Sequence, residues 1–125
     1  MKSTERTPIK GRLFLVLHDR DGADQLARDL DAKGWSCAVS TAERDHGISR
    51  IREAKPVAVI IDASRATDIG IATAAAMRAN AAARAIPIIF IHASKAVDRI
   101  NAAVSDPIFA SPDAFGFALD ELAGR

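Results

Sequence analysis

Apolar and polar positions fall in alternating blocks along the chain, and each block has a readable period. Leu13 to Leu17 is a continuous apolar run, the mark of a strand buried on both faces. Asp21 to Lys33 follows, with Ala23, Leu26, Ala27 and Leu30 at helical spacing; Asp21 is placed to cap that helix and Gly34 to end it. Trp35 to Ser40 alternates and predicts a second strand. Glu43 to Ala54 sets Ile48 and Ile51 on one face and charges on the other, an amphipathic helix that Gly47 weakens by about 1 kcal/mol relative to alanine. Val57 to Ile61 is a third strand, closed by Asp62. The alanine-rich stretch Asp68 to Ala85 predicts a long helix, stopped by Pro87. Ile88 to Ile91 is a fourth strand, followed by His92. Lys95 to Val104 gives a short helix, Pro107 to Ala110 a weak fifth strand, and Asp113 to Ala123 a last helix with Phe117, Leu119 and Leu122 toward the core.

Strands alternating with helices predict an α/β fold around a parallel sheet. Residues 1–11 are expected to form a loose tail and residues 12–125 one domain. In such sheets ligands and chemistry gather beyond the carboxyl ends of the strands. There the chain places His18-Asp19-Arg20-Asp21, Asp62-Ala63-Ser64, His92-Ala93-Ser94 and Ser111-Pro112.

Composition narrows the classes of function. The 125 residues suit one domain, and 49% of them are apolar, which is enough for a single core. Seventeen basic and sixteen acidic side chains leave a net charge of +1, so charge makes no case for nucleic acid or an anionic membrane. The apolar runs are far shorter than the roughly 20 residues of a membrane span. Met1 to Arg12 is polar, without the apolar stretch of a signal peptide. The single cysteine, Cys37, fits a reducing cytoplasm, where it reads as a packed small hydrophobe. His46 and the arginines Arg44, Arg50 and Arg52 read as a solvated helix face, offset by Glu43, Asp45 and Glu53.

The order and spacing of the strand-end residues resemble the receiver domain of two-component response regulators, over about residues 12 to 123. Phe14-Leu15-Val16-Leu17-His18-Asp19 stands where that family closes its first strand with an acidic pair. Val59-Ile60-Ile61-Asp62 stands where an aspartate accepts a phosphoryl group from a histidine kinase. Gly70 matches the glycine that opens the third helix. His92 occupies the Thr or Ser position at the end of the fourth strand, and Ser111-Pro112 matches the Lys-Pro that closes the fifth. The resemblance implies a flavodoxin-like (βα)5 doubly wound fold, a five-stranded parallel sheet with helices on both faces. It also implies a non-enzymatic, cytoplasmic signalling module that meets a histidine kinase, phosphotransfer protein or downstream effector through its helix 4–strand 5–helix 5 face.

The departures concern chemistry. Transfer of a phosphoryl group to a carboxylate crowds negative charge, which Mg²⁺ and a lysine normally offset. The corresponding metal position would hold Asp19, Asp62 and the Ser64 carbonyl, with His18 a poor substitute because Mg²⁺ prefers oxygen. Ser111 replaces the lysine and offers one neutral hydrogen bond in place of a point charge. His92 puts an imidazole where a small hydroxyl would follow the phosphoryl group, Ala66 replaces a proline, and the stretch from His92 to Ser111 is shorter than the family's. The pattern therefore reads as a degenerate receiver with weak or absent Mg²⁺ binding.

Other readings remain open on the sequence. A working aspartyl-phosphate acceptor would keep Asp62 in its family role. A site of two histidines and two aspartates could take a transition metal. Asp19-Arg20-Asp21-Gly22 also resembles the first motif of haloacid-dehalogenase-like phosphatases, with Asp19 as nucleophile and Asp21 as acid/base, although the later lysine and acidic pair of that family are not found. A nucleotide-binding module would use Arg65, Arg78, Arg84 and Arg99.

Overall fold

The computed structural model describes residues 11–17, 20–40, 48–64, 67–111 and 119. Nine elements follow in order: β1 (Gly11–Val16), α1 (Arg20–Ala32), β2 (Trp35–Ser40), α2 (Ile48–Ala54), β3 (Ala58–Asp62), α3 (Thr67–Ala79), β4 (Ile88–Ile91), α4 (Val97–Ala103) and β5 (Ile108–Phe109). The strands form one parallel sheet in the order β2-β1-β3-β4-β5. Strand order reverses between β1 and β3, and the crevice at such a reversal is where sheets of this kind hold their ligands.

Alternation along the strands divides the core in two. Phe14, Val16, Val59, Ile61, Ile88 and Phe90 face one way and pack with Ile51 of α2, Ala74 and Met77 of α3, and Ile100 of α4. Leu13, Leu15, Ile60, Ile89 and Ile91 face the other way and pack with Ala23 and Leu30 of α1, Trp35 and Leu119. Successive residues point to opposite faces of a strand, so only a continuous apolar run can serve both layers. The expected doubly wound sheet is what the chain forms.

Element bounds differ where tertiary structure overrides propensity. Helix α3 ends at Ala79, although alanines continue to Ala85. An 18-residue helix would be about 27 Å long, against about 17 Å for a five-residue strand, and would overshoot the sheet. Asn80 makes the stop. Its Oδ1 accepts the Ala82 N–H at 2.9 Å, and its carbonyl accepts the amides of Ala83 and Arg84. Helix α4 begins at Val97 rather than Lys95, after a turn in which the Ala96 N–H donates to the Ala93 carbonyl. Strands β1 and β3 are each shifted by one or two residues, and β5 is cut to Ile108–Phe109. The expected last helix falls outside the described residues except for Leu119, which is helical and buried. Residues 1–10 of the expected tail, His46 and Arg44 also lie outside them, whereas Gly11, expected in the tail, opens β1 and pairs with Trp35.

Gly34 ends α1 as expected, at a φ of 101° that suits glycine. Gly70 lies one turn inside α3 and lets the helix settle against β3. A Cβ there would stand 2.8 Å from Ile61 Cγ2. Gly70→Ala is therefore expected to destabilise the fold by about 1–2 kcal/mol, although alanine is the better helix former. Urea unfolding of the variant checks this.

Arg50, expected to be solvated, is exposed but engaged. Its guanidinium lies 5.4 Å from the Phe14 ring centroid and donates to the Val39 carbonyl at 2.9 Å, tying α2 to the sheet. Cys37 is half-buried on β2, and burial, helped by Asp31, pushes its thiol up to about 11. Its thiolate is thus about a hundredfold scarcer at neutral pH than the ordinary value of 9.0 would give. Alkylation of the native protein at pH 8 should be slower than that of the unfolded chain by about that factor, followed by mass spectrometry. Because the folded value lies above the unfolded one, the thiol's contribution to stability is complete below pH 9 and is lost as pH rises toward 11.

Candidate functional site

The carboxyl ends of the strands carry the residues that the sequence singled out, and the sheet register fixes their rows. Val16 pairs with Ile61, and Asp62 pairs with Ile91. The Ala63 N–H continues the ladder to the Ile91 carbonyl at 2.9 Å. Phe90 pairs with Phe109, and the Ala110 N–H donates to the Phe90 carbonyl. Just beyond these pairs, His92 and Ser111 both line the mouth of β4 and β5.

Asp62 closes β3 beside the strand-order reversal. Its side chain is half-buried, and Oδ1 accepts the Ser64 N–H at 2.9 Å. That bond is an Asx turn: it aims the carboxylate across the loop and holds the Ser64 main chain beneath it. Ser64 itself is exposed. A cap on α3 is the plainer role for a strand-end aspartate, but α3 starts at Thr67, beyond the turn that Asp62 closes.

His18 and Asp19 fall outside the described residues, so the structure gives Asp62 and Ser64 as the described part of the expected metal position. Their donors are oxygens, the type Mg²⁺ prefers, but they include one carboxylate and one of its oxygens already accepts an amide. Among the described residues no group of three or more His, Cys, Asp or Glu is close enough to hold a metal ion.

His92 is exposed and sits at a φ of 56°, in the left-handed region. Ser111 is exposed as well. Together they line a cavity of about 420 Å³ with Phe90, Ser94, Val97 and Phe109. The Phe90 and Phe109 rings are tilted, with centroids 6.0 Å apart. Asp62 is not among the described residues that line this cavity. The sequence flagged His92 and Ser111 by position. It gave no sign of Val97 and Phe109 beside them.

Of the arginines expected for a nucleotide site, Arg78 and Arg84 line one cavity, and Arg99 is not among its described lining residues. Arg78 turns to the amino-terminal edge of the sheet, where it donates to the carbonyls of Ser105 at 2.8 Å, Arg84 at 3.0 Å, Ile86 at 2.8 Å and Asp106 at 3.5 Å. Its desolvation there lowers the guanidinium's pKa, while Asp106 acts in the opposite sense. Arg99 on α4 pairs with Asp68 in the first turn of α3. Arg84 is exposed, and Arg65 lies outside the described residues.

No family model and no curated protein matches the sequence. Solved structures do match in fold. A protein of Chloroflexus aurantiacus described as a response regulator superposes with a TM-score of 0.76 at 15% identity, covering 95% of this chain and 100% of its own. The chemotaxis protein CheY4 of Vibrio cholerae gives 0.74 at 14% identity, covering 93% and 99%. The response regulator TrrA of Thermotoga maritima, solved in complex with Mg²⁺ and BeF, gives 0.70 at 17% identity, covering 89% and 97%. The chain has the CheY-like fold of response-regulator receiver domains.

Proposed function

We propose that the protein is a cytoplasmic receiver-like signalling module that acts by protein–protein contact, with Asp62 at the phosphoacceptor position of a degenerate site. The observation that carries this reading is the place of Asp62: it closes β3 at the reversal of strand order, on a fold shared with receiver domains across nearly the whole chain. The supporting groups carry the word degenerate. His92 and Ser111 stand at the switch and phosphate-contact positions, where an imidazole and one neutral hydroxyl replace a small hydroxyl and a lysine. Asp19, Asp62 and the Ser64 carbonyl would hold Mg²⁺ weakly, with His18 adding little. Bound there, the ion would offset the charge that gathers when a phosphoryl group meets a carboxylate.

The partner in this reading is a histidine kinase, a phosphotransfer protein or a downstream effector. It would meet the face built from α4, β5 and the last helix. No nucleic acid, membrane or catalytic turnover enters this account. No described helix is long and apolar enough to cross a membrane.

The test is incubation with acetyl phosphate and Mg²⁺, read by intact-protein mass spectrometry. The expected result is slow labelling or none, with Asp62→Asn binding its partner as well as wild type does. Rapid labelling that Asp62→Asn abolishes would establish a working aspartyl-phosphate acceptor instead. Hydrolysis of a generic phosphate ester, lost in Asp19→Asn, would establish the phosphatase reading.

A further inference from the structure

We propose that the cavity between the carboxyl ends of β4 and β5 is a binding site for a small aromatic carboxylate. The cavity shares His92 and Ser111 with the proposed receiver site, but Asp62 sits at the end of β3 and does not appear among the described residues lining it. Its volume, about 420 Å³, lies within the range of pockets that enclose small molecules. Its floor is apolar: Phe109 presents a ring and Val97 a branched aliphatic side chain, over the buried Phe90. Phe109 is 37% exposed, the one large hydrophobic side chain left open among the described residues, and its ring is tilted against Phe90. A planar ring laid on Phe109 would cover that surface in the offset geometry aromatic pairs prefer.

The rim is polar and supplies donors. His92 and Ser94 bring an imidazole and a hydroxyl to the opening, with Ser111 beside them, and none of the described lining residues is acidic. An acceptor with two oxygens is the group these donors suit. His92 is held at a φ of 56°, a conformation uncommon outside glycine that presents the residue at the rim instead of continuing the strand. Such backbone outliers cluster at ligand clamps, where their cost is retained for the placement they give. An apolar floor and a few convergent polar groups together select a ligand with an aromatic body and one anionic end.

The probe is phenylacetate, titrated into the full chain and followed by amide shifts. Shifts at residues 92–97 and 108–111 are expected, saturating near about 1 mM, which suits a ligand of about ten non-hydrogen atoms. Phe109→Ala and His92→Gly should each weaken binding about tenfold or more, consistent with loss of the ring platform or of a charge-assisted donor. Glycine accepts the positive φ at position 92, so that variant keeps the backbone. Phenylacetamide should bind more weakly than phenylacetate, and acetate should not bind. Asp62→Asn should bind phenylacetate as wild type does, which keeps this result distinct from the signalling reading. Shifts absent at 10 mM, or unchanged affinity in both variants, would overturn the proposal. So would a peptide with an aromatic side chain that shifts these residues where phenylacetate does not, since the cavity would then be a protein-docking pocket.

Discussion

Arg78→Ala is expected to destabilise the fold by about 3 kcal/mol, which is large for a residue on a solvent-facing helix end. A fork of guanidinium donors reaches four main-chain carbonyls there, from Arg84 and Ile86 before β4 and from Ser105 and Asp106 before β5. One side chain thus ties the end of α3 to the entries of two strands. Removing it leaves those carbonyls to find water in a partly enclosed place, where the Ile86 carbonyl is part-buried. Hydrogen bonds to charged groups contribute about 1.5–3 kcal/mol each, and solvent at the edge reduces their sum. Arg78→Lys should recover little, because an ammonium cannot span the same set of acceptors. Thermal unfolding should show a drop of about 10 °C for Arg78→Ala, with Arg78→Lys close behind. A variant within 1 °C of wild type would show that water replaces the four bonds without loss.

Ile61→Ala should cost about 3–4 kcal/mol. The side chain is fully buried in the layer beneath α2, α3 and α4, and β3 is flanked by β1 and β4, so the cavity has little room to collapse. Ile61 is also the residue whose Cγ2 meets the position of a Gly70 Cβ. The two substitutions should therefore not add: Gly70→Ala should cost less in the Ile61→Ala background, because the added methyl enters vacated space. Denaturant unfolding of both single variants and the double variant gives the coupling. Additive costs would mean that Gly70→Ala acts by something other than the Ile61 contact.

The strands were legible because burial on both faces forces unbroken apolar runs, and those at 13–17 and 88–91 keep their places within two residues. Asp62 was legible as a strand end for the same reason, because the apolar run stops there. Local pattern could not give helix length. Alanine at 81–83 favours helix, yet the sheet's short span and the Asn80 turn end α3 earlier. Nor could it give long-range engagement. Arg78 looked like any arginine on a helix, and its partners lie up to 28 residues away in sequence. Arg50 looked solvated, because nothing in its neighbourhood announces the Phe14 ring. At the site, spacing located His92 and Ser111, while the cavity they share with Phe109 depends on the pairing of Phe90 with Phe109. Register of that kind is fixed by the assembled sheet.

The central claim is that the site has lost the means to switch. A ligand shifts a conformational equilibrium only by its differential affinity, and moving a population from 1:99 to 99:1 takes about 5.5 kcal/mol. A neutral hydrogen bond of the kind Ser111 offers contributes about 1 kcal/mol. The most direct measurement is titration of the protein with beryllofluoride and Mg²⁺, followed by backbone amide shifts from β4 through β5. The account predicts shifts, if any, confined to the immediate surroundings of Asp62, with α4 and residues 104–111 unmoved. Saturable shifts that spread from Asp62 through His92 to α4 and Ser111 would contradict it.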